Sequence, residues 1–372
     1  MTDLFELLGR DGDTFRIGLR AESAVYAAHF PGRPVTPGAC LVELCCRLAE
    51  RVAVRSLVLE AAPIAMFLRP VTPDLGAVDV SLTSQAADGG LKVAAVIAHS
   101  GAPLARLSLV LRPASDVCAV IPTYNTAATV ADVVRRTLAQ VRDVIVVNDG
   151  STDATLAALA ALGIRPDAAD APLGAPSATL VSYAANRGKG GALRAGLERA
   201  AALGFRYALT LDADGQHYPE DIPALLEAHA GRPDVLVVGS RGLVHDNMPR
   251  RSTFANRFSN FWFALQTWQP LPDTQTGFRL YPLDGGLLRS LRWLTARYEA
   301  ELELLVLAAW RGTRLVPVPI RVYYPPAAER VSHFRPLRDF ARISVLNTVL
   351  CLLMLVYGWP RVIWFRLTKP KV

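Results

Sequence analysis

The sequence has little cysteine: five residues in 372, Cys40, Cys45, Cys46, Cys118 and Cys351, with no CxxC spacing among them. An odd, scattered set excludes a disulfide scaffold and suits a reducing compartment. The first residues, Met-Thr-Asp-Leu-Phe-Glu, lack the basic start and long apolar stretch of a secretory leader, so export by that route is not expected. Charge of one sign is scarce as well. Against 33 Asp+Glu stand 40 Lys+Arg, a net +7. Residues 1–115 hold 11 of each sign, residues 116–326 hold 21 basic and 20 acidic, and residues 327–372 hold 8 basic and 2 acidic. The excess belongs to the C-terminal stretch, which points to an anionic membrane surface and away from nucleic acid. At 51% hydrophobic and 20% charged, the chain is not wholly disordered, and its length suits two domains. No internal repeat is visible.

An unbroken apolar run of membrane-spanning length is also missing. Ile343–Trp359 is 17 residues, interrupted by Ser344, Asn347 and Thr348, where a spanning helix takes about 20. Arg335, Arg338 and Arg342 precede it, and Arg361, Arg366, Lys369 and Lys371 follow, so basic residues give no orientation. The expectation is a helix lying in the membrane interface or re-entering it, held to anionic lipid by its flanks. Phe258–Trp268 reads equally as a second interfacial segment or as a core helix.

What is present falls into two parts. Pro113 closes the alternating run Leu104–Leu111, and a new apolar run begins at Val117. Before it lie one helix, Ala39–Val52, and strand-like stretches such as Val78–Leu82 and Lys92–Ala98. After it, strands at Val117–Pro122, Asp143–Val147 and Tyr207–Leu211 alternate with helices at Thr129–Gln140 and Gly190–Leu203. That order predicts a parallel α/β sheet with working loops at the strand C-termini.

In the first part, His29-Phe-Pro-Gly-Arg-Pro-Val-Thr-Pro-Gly38 is a loop stiffened by three prolines ahead of the helix, and Glu43 lies 14 residues after His29. A carboxylate among Leu41, Val42, Leu44 and Cys45 is expected to be partly desolvated, with its pKa raised. A histidine and such a carboxylate suit removal of a proton α to a carbonyl and protonation of a departing hydroxyl. The run HFPGRPVTPG with Glu43, and the later Phe67-Leu-Arg-Pro-Val-Thr-Pro73, resemble the hotdog-fold 3-hydroxyacyl-[acyl carrier protein] dehydratases over residues 10–112. By that resemblance His29 and Glu43 are the catalytic pair and the Gly38 N–H polarises the thioester carbonyl. Acyl carrier protein is the partner, and a homodimer is implied. Ala28 stands where the family has glycine, and the segment before Phe67 is short. Both departures bear on tunnel length.

In the second part four motifs follow strands or open helices. They are Ile121-Pro-Thr-Tyr-Asn125, Val147-Asn-Asp-Gly-Ser-Thr-Asp153, Asn186-Arg-Gly-Lys-Gly-Gly-Ala-Leu-Arg194 and Leu211-Asp-Ala-Asp-Gly-Gln216. Asp149 can accept from a base or ribose. Lys189 and Arg194, with helix-opening N–H groups, suit a diphosphate. Asp212, Asp214 and Gln216 offer hard oxygens for Mg²⁺ or Mn²⁺. Together these motifs resemble family 2 glycosyltransferases of the GT-A type, in the dolichyl-phosphate mannose synthase-like branch, over residues 117–339. The resemblance assigns Pro122, Tyr124, Asn125 and Asp149 to the nucleoside. Arg241 and Arg251 face the donor and acceptor phosphates, and Asp273 takes the acceptor-side acidic position, with Arg279 closing its motif on the substrate side. Arg330, Ser332 and His333 belong to a loop closing over the donor.

The fold expected is thus an N-terminal α+β hotdog domain (1–114), a Rossmann-like GT-A α/β glycosyltransferase domain (115–340) and a membrane-associated C-terminal segment (341–372). The function expected is metal-dependent, inverting transfer from a UDP- or GDP-linked sugar to a lipid-linked acceptor, a polyprenyl phosphate or an acyl or polyene lipid, at the cytoplasmic face of a membrane. A phosphate acceptor needs no general base; a hydroxyl needs one, and Asp273 is the first candidate. Glu299, Glu301 and Glu303 read either as a solvated face with one buried partner or as functional. His217 and His333 are weaker substrate candidates. Three readings stay open: both modules catalytic, a transferase with a hotdog used for dimerisation or carrier docking, or an inactive membrane scaffold.

Overall fold

The structure, a computed structural model, describes residues 3–87, 89–165, 177–230, 232, 234–242, 250–283, 295–323 and 336–368, and of 250–255 and 336–340 the backbone alone. The chain forms two compact units, Met1–Ser115 with Ala160–Thr179, and Asp116–Leu159 with Leu180–Val372.

The first unit is a six-stranded sheet on one long helix. Its strands are β1 (Phe5–Asp11), β2 (Thr14–Leu19), β3 (Leu57–Phe67), β4 (Ala77–Ala87), β5 (Gly90–His99) and β6 (Ala102–Pro113), in the order β1-β2-β4-β5-β6-β3, with every described pairing antiparallel. Alternate residues Val78, Val80 and Leu82, Val93, Ala95 and Ile97, and Leu107, Leu109 and Leu111 point inward, the period-2 pattern of a sheet with one covered face. A short helix α1 (Ala24–Ala28) precedes α2 (Gly38–Ala53). α2 presents Leu41, Leu44, Cys45 and Leu48 to that face, spaced as one helical stripe. Strand β3 departs from the pattern. Ten of its eleven residues are exposed, Ile64, Met66 and Phe67 among them, and it lies at the end of the sheet.

The second unit carries a seven-stranded sheet, β13-β11-β12-β10-β7-β8-β9. The strands are β7 (Val117–Thr123), β8 (Val144–Asp149), β9 (Ala178–Tyr183), β10 (Tyr207–Thr210), β11 (Val235–Arg241), β12 (Arg279–Pro282) and β13 (Arg314–Ile320). The sheet is mixed, which corrects the expectation of an all-parallel one: β12 runs antiparallel between β10 and β11. β7, β8, β10, β11 and β13 still share one direction, so their C-terminal loops meet at one edge. β7 and β8 are buried nearly throughout, as central strands covered on both faces must be. Helices α3 (Val130–Leu138), α4 (Thr155–Ala161), α5 (Lys189–Ala202), α6 (Ile222–His229) and α7 (Arg250–Thr267) follow the strands, and a further helix spans Glu299–Trp310. That last helix is buried almost all round, including all three glutamates, which removes the solvated-face reading of Glu299, Glu301 and Glu303. In α7, Phe263 is fully buried while Phe258 and Phe261 face outward, so the segment is both core helix and apolar surface.

The C-terminal segment corrects a length. Helix Pro336–Leu353 runs through a π turn, Met354–Gly358, into Trp359–Thr368. Pro360 does not end it, since it follows a turn whose pairing pattern is already altered. Ala341–Thr368 is 28 residues, and its most apolar 18-residue window has a mean hydropathy of 1.7, long and apolar enough to cross a membrane. At 1.5 Å per residue it reaches about 42 Å, against a hydrocarbon core of about 30 Å. Leu346, Leu350, Met354 and Val362 pack on the core, while Val345, Leu352, Val356 and Leu367 are at least 65% exposed.

Candidate active site

The loops after β7, β8 and β10 are tied together by hydrogen bonds. Asn125, at φ +52°, accepts the Thr152 N–H at Oδ1 (2.8 Å), and its own N–H donates to Ser151 Oγ (3.0 Å). Thr129 Oγ1 donates to the Ala213 carbonyl at 2.6 Å, which fixes the first loop against the Asp-Ala-Asp turn. The buried Asp149 carboxylate accepts the N–H groups of Arg187 (2.7 Å) and Gly188 (2.8 Å), anchoring the approach to α5. Its pKa is raised because burial outweighs those two bonds.

Lys189 opens α5. Its Nζ lies 2.8 and 3.0 Å from the two Asp212 oxygens and 2.9 Å from Glu301 Oε2. Burial alone would lower the lysine's pKa, but the two carboxylates together raise it, and Asp212 is correspondingly lowered. A Cβ at Gly277 would stand 2.8 Å from Asp212 Oδ2, so only glycine lets that backbone approach the carboxylate. Asp214 accepts the Gln216 N–H at Oδ1 (2.9 Å). Burial, then the charge of Asp212, pushes the Asp214 carboxyl up to about 6. His217 is buried against Phe278, its Nδ1 without a partner among the described residues, and burial pushes it down to about 4.

At the end of β11, Arg241 forms a bidentate pair with Asp273, Nε–Oδ2 2.6 Å and Nη2–Oδ1 3.0 Å. Asp273 is fully buried and also accepts from Asn256 Nδ2 (3.2 Å) and from the N–H groups of Gln275 (3.0 Å) and Arg241 (3.2 Å). Burial would raise its pKa, but the bonds and charge of Arg241 prevail and lower it.

A family model, Glycosyl transferase family 2, matches residues 118–292. The undecaprenyl-phosphate mannosyltransferase of Micrococcus luteus is 30% identical over 215 residues, covering 55% of this chain and 82% of its own. The chain belongs to glycosyl transferase family 2. The UDP-N-acetylglucosamine–dolichyl-phosphate N-acetylglucosaminyltransferase of Methanococcus voltae is 29% identical over 212 residues, covering 55% of this chain and 84% of its own. Among solved structures, glucosyl-3-phosphoglycerate synthase from Mycobacterium tuberculosis in complex with Mn²⁺ and UDP-glucose aligns at 21% identity with a TM-score of 0.41, over 65% of this chain and 79% of that one. That likeness is too distant to bear on the reaction. The chain is a glycosyltransferase, with the mixed α/β, GT-A-like sheet described above.

Of the family 2 site residues expected, Pro122, Tyr124, Asn125, Asp149, Lys189, Asp212, Asp214, Gln216 and Arg241 lie on or after the same strand edge. Each Asp149 oxygen accepts a backbone N–H, so it also shapes the loop beside the expected nucleoside position. Three roles need correcting. Arg194 pairs with Glu198 on an exposed helix face, five residues and thus about 140° round from Lys189. Arg279 is fully buried, donating to Tyr281 Oη, the Glu301 carbonyl and the Thr274 carbonyl, so it braces the core. Asp273 is saturated and held ionised, which makes it a poor base. The Arg251 side chain and Arg330, Ser332 and His333 lie outside the described residues. Asn256, Gly277 and Thr129 were not anticipated. Thr129 and Asn256 carry no local pattern, whereas Gly277, just after the Asp273 motif, could have been read as a point of close approach.

In the first unit, His29 Nδ1 meets the Val35 carbonyl at 3.0 Å. Glu43 is not desolvated as expected: its side chain is 45% exposed and takes Arg47 Nε at 2.8 Å, because it lies off the stripe that α2 buries. The ring of Phe67 covers Gly38, where a Cβ would come within 2.7 Å.

Proposed function

We propose that residues 115–340 move a sugar, with inversion at C1, from a UDP- or GDP-linked donor to a polyprenyl phosphate. The observation that carries the acceptor is Asp273. As the candidate base for a hydroxyl acceptor it is locked to Arg241 and two further donors, Asn256 and Gln275, so proton removal is poorly served. A phosphate acceptor is already ionised. Its oxygen attacks C1 as the bond to the nucleoside diphosphate breaks, and no proton has to move. The Arg241 guanidinium, held at its Nε and Nη2 by Asp273, is oriented for a phosphate. The acceptors in the names of the Micrococcus and Methanococcus relatives support the same choice.

The Asp-Ala-Asp turn fits a divalent cation, Mg²⁺ or Mn²⁺. Asp212 and Asp214 are hard oxygen donors, and a cation relieves the repulsion that adds to burial in raising Asp214. Among the described residues no group of three or more His, Cys, Asp or Glu gathers there, so further ligands would come from Gln216 and the diphosphate. When bound, such a cation neutralises the leaving diphosphate. The C-terminal helix, with its bare apolar face and Arg361 and Arg366, holds this site at the cytoplasmic face of a membrane where a lipid-linked acceptor resides.

Residues 1–114 are proposed as a hotdog-like module serving acyl carrier protein substrates, with His29 and Glu43 as acid and base, and working as a homodimer. The long, apolar, uncovered edge of β3 supports a second copy there, since such an edge left bare is an aggregation hazard. The deciding assay offers purified full-length protein, with Mn²⁺ and each of UDP- and GDP-sugars, a choice of polyprenyl phosphate or the matching alcohol. Glycosylation of the alcohol alone contradicts the acceptor. A second assay follows hydration of a crotonyl-carrier substrate. Loss in His29→Ala with sugar transfer intact is expected, and no hydration by the wild type leaves the module a dimerising or docking element.

A further inference from the structure

Lys189 invites a simple reading, a cation waiting for the donor diphosphate, but its surroundings argue otherwise. Its ammonium is already shared between Asp212, at 2.8 and 3.0 Å, and Glu301, at 2.9 Å, and the three side chains are 19%, 23% and 10% exposed. The approach is built in. Gly188 and Gly190 carry no Cβ where one would collide with the Ala296 carbonyl and with Ala300, so the start of α5 presses directly on the helix bearing Glu301. The Glu301 carbonyl is in turn pinned by Arg279 Nη1 at 2.8 Å.

An ammonium on Asp212 competes with any metal for the same oxygens. We propose that Glu301 and Lys189 form a charge-balancing pair that surrenders Asp212 to a divalent cation, Glu301 keeping the lysine when Asp212 turns its oxygens to the metal. The proposal rests on the metal-bearing reading of the Asp-Ala-Asp turn. Lys189, Asp212, Asp214 and Glu301 with all carboxylates ionised carry two net negative charges, which a divalent cation cancels. Without Glu301 one net negative charge remains, and the freed lysine would stand buried and unpaired beside the metal, a costly arrangement. Without Lys189 three negative charges face the cation. Arg279 is common to every variant and does not alter the ranking. Glu301 is thus a positioning residue acting through Lys189 on Asp212.

The test is Mn²⁺ binding to the full chain, alone and with saturating UDP or GDP, followed by electron paramagnetic resonance of free Mn²⁺, with circular dichroism confirming the fold. Glu301→Gln weakens Mn²⁺ binding by about tenfold or more, and Lys189→Met tightens it. The double variant Lys189→Met/Glu301→Gln restores two net negative charges and returns to within about threefold of wild type, a rescue that a merely structural role does not produce. Glu301→Asp, which keeps the charge, binds more tightly than Glu301→Gln. If Glu301→Gln does not fold, Lys189→Met and the double variant still decide. Unchanged Mn²⁺ affinity in Lys189→Met, with UDP and GDP binding lost instead, overturns the proposal and returns Lys189 to the diphosphate. No Mn²⁺ binding by the wild type even with UDP or GDP present overturns the metal reading, and this inference with it. Binding by the wild type that Glu301→Gln leaves unaltered overturns this inference alone.

Discussion

In the second unit the charged groups at the strand ends are buried and matched: Lys189 with Asp212 and Glu301, Arg241 with Asp273, Asp149 with two backbone N–H groups. In the first unit His29 is half-buried, Glu43 reaches an exposed arginine, and the strand nearest the sheet end is bare along ten of its residues. One unit pairs these charges within a single chain, and the other leaves a carboxylate exposed and an edge bare. Substitutions should therefore act through buried charge in the second unit and through association in the first.

The largest effect is expected from Asp273→Asn. It leaves Arg241 without its counter-charge, and breaking such a buried pair costs about 3–5 kcal/mol, measurable by urea unfolding. A loss below about 1 kcal/mol would mean the pair is solvated and the contrast between the units overstated. Next, Ile64→Lys with Met66→Lys places charge on the β3 edge. The dimer dissociation constant should rise at least about tenfold in sedimentation equilibrium while sugar transfer persists. A monomeric wild type would remove the basis for that comparison. Gly358→Ala pushes a methyl into the Trp310 ring and should cost about 1–3 kcal/mol.

A smaller effect concerns pH. Burial holds His217 at about 4, below its ordinary 6.5, so between those values the unfolded chain binds a proton that the folded chain refuses. The stability present above about pH 6.5 is thus lost progressively as pH falls toward 4. His217→Gln should flatten that part of the Tm profile, and an unchanged slope would show the imidazole to be solvated. Smallest of all is Arg194→Ala, an exposed helix pair worth about 0.5 kcal/mol or less, with sugar transfer unaltered. A large loss of transfer there would restore Arg194 to the diphosphate.

The strands of the second unit were legible because central strands are apolar throughout: Val117–Thr123 and Val144–Asp149 stand out against the loops they feed. The Asp-Ala-Asp turn and the helix opened by Lys189 were legible for the same local reason. The partners were not. Nothing near Lys189 announces Glu301, nothing near Arg241 announces Asp273 and Asn256, and nothing near Asp149 announces its two N–H donors. These pairings join loops remote in sequence, and periodicity carries no information about them. The antiparallel β12 was hidden likewise, since its four residues are too few to state a direction. The C-terminal helix was misjudged by counting to Trp359, because Trp-Pro reads as a stop and the π turn that carries the helix past it leaves no mark in composition.

That π turn sets a phase. Its i→i+5 pairing takes up one extra residue within a single widened turn, where an unbroken α-helix would advance every later side chain by about 100°. The widened turn thereby keeps Ile363, Trp364 and Leu367 on the outward apolar face and Val362 in the core although one more residue precedes them. Removing a single residue from Met354–Gly358 should therefore make the helix regular and leave that bearing in place. A deletion within Trp359–Thr368 has no such turn to absorb it and should misdirect the residues that follow.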